Sequence, residues 1–124
     1  MNVTLWTIAS LLAAVFVAIG VTKLTTPREK LIPKMASVAD FTDSQVKAVG
    51  ALEVLGGLGL ILPALFDVAP ILVPIAASGL ALMMVGAVAV HLRRGDGVRH
   101  AIPAIVLGVL AVIVAVGRFG PQQF

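Results

Sequence analysis

Residues 43–65, DSQVKAVGALEVLGGLGLILPAL, decide the fold of this chain. A short polar opening gives way to an almost unbroken apolar run. A helix needs about 20 mostly apolar residues to cross a bilayer, and this stretch supplies them. Its apolar residues lie on all sides rather than on one stripe, as in a helix surrounded by lipid and other helices. Thr42 with Gln45 three residues later provides both halves of a capping box. The helix is therefore expected to start at Asp43, and Pro63 fits its far end.

Three more stretches read the same way, at about residues 3–24, 70–91 and 102–119. The expectation is a single all-α domain over residues 1–124, an integral membrane four-helix bundle. Composition agrees. Apolar residues make up 60% of the chain and charged residues 12%, against roughly 45–50% and about 25% in soluble proteins. That leaves too little polar surface to coat a soluble globule, so the bilayer is the expected partner. The first stretch lacks a basic leading segment and a clean small-x-small cleavage site, and its apolar run is long. It reads as a retained span, not a signal peptide. Pro70 and Pro74 are expected in the first turns of the third helix and Pro103 early in the fourth, where the missing N–H costs little. The polar tail after Gly120 should fray.

Charge sets a direction. Lys23, Arg28, Lys30, Lys34, Lys47, Arg93, Arg94 and Arg99 flank the loops at 25–42 and 92–99, leaving Arg118 at the other side. The positive-inside rule then places those loops in the cytoplasm and both termini outside, in a multi-pass protein of the inner (plasma) membrane. The net charge of +3 is explained by this asymmetry, without a nucleic acid partner. The first loop, Pro27-Arg-Glu-Lys-Leu-Ile-Pro-Lys-Met35, suits a segment lying along the membrane surface. A solvated connector fits it equally well. With no cysteine in the chain, thiol chemistry and thiolate-held clusters are excluded.

Glu53 is the residue that a plain membrane anchor does not explain. It lies about 15 Å along the helix axis from Asp43, at 1.5 Å per residue. A charged carboxylate in lipid costs at least about 2.5–3.5 kcal/mol. Glu53 must therefore face the bundle, carry a partner, or hold a proton. Gly50, Glu53 and Gly57 fall at i, i+3 and i+7 on one face, with Gly56 and Gly59 close by. Small residues let helix backbones approach, so this face is expected to be a packing seam with an acid in it. Lys23 and His91 end the first and third spans on the same side of the membrane and are candidate partners. For Lys23 the plainer reading is a lysine snorkelling to the headgroups, and for His91 an interfacial histidine. Both look shallower than Glu53. Arg118 is expected to contact headgroups at the opposite end. Met83 and Met84 read as packing residues. His91 and His100 lack metal-ligand spacing, and no phosphate loop, dinucleotide fingerprint or catalytic triad is present.

The residues carry a resemblance. Gly20-x-x-Lys23-Leu24, then Gly50-x-x-Glu53-x-x-Gly56-Gly57-x-Gly59-Leu60, Pro63 and Ala87-x-x-x-His91 resemble the DoxX-like family over nearly the whole chain. The Glu-containing glycine motif is its most specific part. The resemblance implies a four-helix membrane bundle of bacterial type, with a polar signature at Lys23, Glu53 and His91 and packing glycines at Gly20, Gly50, Gly56, Gly57 and Gly59. The family takes its name from a subunit associated with thiosulfate:quinone oxidoreduction, and some relatives look like accessory proteins in redox or receptor-assembly complexes.

Three functions follow as expectations. The first is a non-catalytic accessory or assembly subunit of a membrane complex, bound to protein partners or to copies of itself. The second is a membrane subunit of a quinone-linked redox complex, in which Glu53 and His91 meet the quinone head group. No other cofactor and no metal is indicated. The third is a small proton-coupled transporter. It is weakened by the absence of tyrosine and by a single tryptophan, because cationic substrates are commonly held against aromatic faces.

Overall fold

The computed structural model describes residues 2–31, 41–95 and 98–120. Among them it forms only helices: α1 (Asn2–Thr25), α2 (Arg28–Leu31), α3 (Asp43–Gly59), α4 (Leu62–Leu65), α5 (Leu72–Arg94) and α6 (Val98–Phe119). Four segments are long and apolar enough to span a membrane: Val3–Thr25, Asp43–Leu65, Leu72–Arg94 and Ala101–Phe119. The expected all-α bundle of four spans is therefore present.

The long helices run up and down in a ring of order α1, α3, α5, α6. Contact is broad between α1 and α3 and between α5 and α6, narrower between α3 and α5 and between α6 and α1, and slight across the diagonals. The bundle is thus two helical hairpins set side by side. Its centre is packed by Leu12, Phe16, Leu60, Ala77, Leu80 and Val114. Outside, Leu11, Leu55, Leu82, Val85 and Val116 are each more than 60% exposed. An apolar exterior on this scale is tolerated only against lipid or another protein. Because lipid tails are as apolar as leucine, burial alone does not hold such helices together, and close packing and polar contacts must do so.

Several expectations about helix ends are corrected. The capping box exists as read: the Gln45 N–H donates to Thr42 Oγ1 at 3.2 Å and the Thr42 N–H donates to Gln45 Oε1 at 2.9 Å. The second span, however, is not one helix. It stops at Gly59 and resumes as the single turn α4 at Leu62. Pro63 cannot donate to the carbonyl four residues back and its ring crowds that carbonyl. Three glycines at 56, 57 and 59 weaken the preceding turn further. Leu60 ends α3 by donating to the Gly56 and Gly57 carbonyls. Pro70 lies ahead of α5 rather than in its first turn, whereas Pro74 is at its third position. The fourth helix begins earlier than expected, at Val98, so Pro103 is an interior residue.

The loop at 92–99 also shortens. The third helix continues to Arg94 and closes on Gly95, which takes the left-handed φ of 76° at its C-terminal cap. In the first loop, Leu31 is not laid into the membrane surface. It is fully buried against Val46 and Phe41, which removes its side chain from both lipid and water. The readings made for Ile32, Pro33, Lys34, Met35 and the tail beyond Gly120 fall outside the described residues.

The turn between α4 and α5 holds two non-glycine residues at positive φ, Asp67 at 53° and Ala69 at 45°. Aspartate visits this region with modest strain, but alanine gains nothing from it. Pro70 also steers the residue before it away from the right-handed helical region. Ala69→Gly is expected to raise stability by about 0.5–1 kcal/mol, the relief of strain exceeding the added freedom of the unfolded chain. Thermal unfolding in detergent, followed by circular dichroism, measures this, and a lowered midpoint would contradict it.

Candidate functional site: a buried ion pair on a glycine seam

The site grows out of the way α1 and α3 cross. Gly20 on α1 lies against Gly50 on α3. A methyl group built on Gly20 would sit 2.5 Å from the Gly50 carbonyl oxygen and 2.6 Å from Val54 Cγ2. One built on Gly50 would sit 2.9 Å from the Gly20 carbonyl oxygen and 2.9 Å from Lys23 Cβ. No side chain fits between the two backbones at this level. One to two turns further along α3, Gly57 faces Val17 and the Ala13 carbonyl in the same way.

A methyl group on Gly50 would touch Lys23 Cβ, so Lys23 lies beside Gly50 where the helices cross. Glu53 is three residues further along α3, and the two side chains close an axial gap of about 4.5 Å at 1.5 Å per residue. The four-carbon lysine stem does so, running past Gly50, whose missing side chain leaves room for it. Lys23 Nζ donates to Glu53 Oε1 at 2.6 Å. Glu53 is 2% exposed and Lys23 18%. The depth mismatch read from sequence is real, and the lysine resolves it by reaching inward instead of out to the headgroups. Among the described residues no buried side-chain nitrogen or oxygen lacks a hydrogen-bond partner.

The structure divides the other sequence candidates. Gly56 and Gly59 do not belong to the Glu53 seam. They face α5, where methyl groups would meet Leu80 at 2.7 Å and Ala76 at 2.9 Å. The glycine-rich run thus serves two neighbours, because residues three and seven apart share a face while those one apart are turned by about 100° at 3.6 residues per turn. His91 is half-buried near the end of α5. Lys47, one of the basic residues flanking the first loop, reaches the Leu24 carbonyl at the end of α1 at 3.4 Å, where a cation favours the helix terminus.

Arg118 requires a correction. It was expected to contact headgroups, but it is 3% exposed and its guanidinium carbon lies 5.9 Å from the centroid of the Trp6 ring. The preceding residue explains why: Gly117 leaves space that Leu5 fills, a methyl there meeting Leu5 Cδ1 at 2.6 Å. Topology already put Trp6 and Arg118 at the same end of the bundle. What the sequence did not reveal was that the neighbouring glycine draws the arginine inward.

Four apolar helices with a lipid-compatible exterior, and with Glu53 and Arg118 buried between them, define a small multi-pass membrane protein. The chain belongs to the DoxX-like family, whose model matches residues 7–114. No curated protein and no solved structure matches it.

Proposed function

We propose that this protein is a non-catalytic accessory subunit of a membrane complex, a preformed helical body against which a membrane partner assembles. The observation that carries the reading is the state of Glu53. A carboxylate at that depth would be the natural group for handling protons or a ligand, yet it is engaged at 2.6 Å by Lys23 and is 2% exposed. A group so held acts as a fastener: it fixes the α1–α3 hairpin and thereby the outer surface offered to a partner. The broad apolar exterior supplies the area such an assembly uses.

The test is isolation of the tagged chain from native membranes in mild detergent, with protein, lipid and quinone analysis of what accompanies it. A protein partner should co-purify with the native chain and be diminished with Lys23→Met, whose surface is unchanged but whose hairpin is loosened. Quinone recovered in proportion to the chain, with no protein partner, would replace this reading with the quinone-linked one. Partner recovery unaffected by loss of the ion pair would refute the fastener role.

A further inference from the structure

We infer that Trp6 and Arg118 form a latch that holds the first and last helices together at the end of the bundle carrying both termini, and that the ring opens along the α1–α6 seam when this latch is released. Three observations meet here. Arg118 is buried, at 3% exposure, over the face of Trp6 at 5.9 Å. Leu5, fully buried, occupies the gap that Gly117 leaves beside it. The seam they close is one of the two narrow ones in the ring. Neither Trp6 nor Arg118 lies within the family-matched segment, residues 7–114, so the latch is built by the flanks of this chain.

The latch complements the ion pair in position. Lys23–Glu53 joins α1 to α3, and Trp6–Arg118 joins α1 to α6 at the opposite end of α1. The first helix thus carries one polar fastener on each side. A cation held over a desolvated ring keeps its attraction where water cannot compete. Loss of that attraction frees the α5–α6 hairpin to swing away from the α1–α3 hairpin as a rigid body, a hinge type of motion. The broad contacts within each hairpin stay intact during that motion.

The chain has no cysteine, so a single introduced thiol can report the opening. Val114 is fully buried and lies four residues before Arg118 on the same helix face. Val114→Cys in lipid nanodiscs should react slowly with a water-soluble maleimide. Adding Arg118→Gln should speed labelling roughly 10- to 30-fold, the factor that loss of a desolvated cation–π contact implies. Trp6→Phe, which keeps a weaker ring face, should give a smaller acceleration, and Arg118→Lys should stay near the parent rate. Helix content and elution volume identify any variant that has not folded, and the conservative Trp6→Phe and Arg118→Lys pair then decides the matter. Unchanged labelling in Arg118→Gln and Trp6→Phe would overturn the latch. So would equal acceleration by Glu53→Gln, which would mark general loosening instead of opening at this seam.

Discussion

Lys23→Met will destabilise the bundle by about 3–5 kcal/mol, the cost of leaving a buried charge without its partner, and Glu53→Gln will cost less, about 1–2 kcal/mol, the range for a lost hydrogen bond. The asymmetry comes from depth. Glu53 is 2% exposed and has a short side chain, so without Lys23 its carboxylate has no route to water. Lys23 is 18% exposed and near the end of α1. Without Glu53 its long stem can turn and carry the ammonium to the headgroups. The double variant Lys23→Met/Glu53→Gln should recover much of the loss, because no charge then remains to be accommodated. Titration into a denaturing detergent, followed by circular dichroism, gives all three values as a double-mutant cycle. Additive effects, or a glutamine variant weaker than the methionine variant, would show that the contact is incidental.

Gly20→Ala is the second large effect. Its methyl group would meet backbone, the Gly50 carbonyl at 2.5 Å and the Val54 nitrogen at 3.0 Å, as well as Val54 Cγ2 at 2.6 Å. Backbone cannot rotate away, so α1 and α3 must separate. Overpacking costs about 1–3 kcal/mol, and a site closed by backbone belongs at the upper end. Separation also lengthens the reach required of Lys23, so the ion pair weakens with it. Gly56→Ala should cost less, because it meets only the movable side chain of Leu80. Gly79 and Gly86 have nothing within 4 Å. Alanine there should be neutral or stabilising by up to about 1 kcal/mol through helix propensity. The same detergent titration ranks the four. A Gly20→Ala protein as stable as Gly79→Ala would mean that the α1–α3 seam is not close-packed.

These rankings show which parts of the molecule were legible beforehand. The start of α3 could be read because the Thr42–Gln45 box is local, needing only residues three apart. Its break after Gly59 was harder. Pro63 signalled a helix end, but whether the chain stops or merely bends there depends on what α5 packs against it. Glu53 was conspicuous because charge in an apolar run is costly wherever the helices lie. Its partner was not, since Lys23 looked too shallow until the Gly20–Gly50 contact set the level at which the helices cross. Arg118 was misread for the same kind of reason. Its place in the chain suggested the membrane surface, and a neighbouring glycine with Leu5 opposite moved it inside.

By itself the sequence determined that this chain has four stretches long and apolar enough to cross a membrane and that the second carries an acid needing shelter. Insertion into a bilayer is governed by the summed hydropathy of each stretch, a property that adjacent residues settle among themselves. Only the tertiary structure decided which glycines face which neighbour, that Lys23 reaches Glu53, and that Trp6 receives Arg118. Those outcomes depend on the rotation and crossing level of each helix, which the packing of all four sets together, because lipid offers the helices no hydrophobic reason to prefer one face over another.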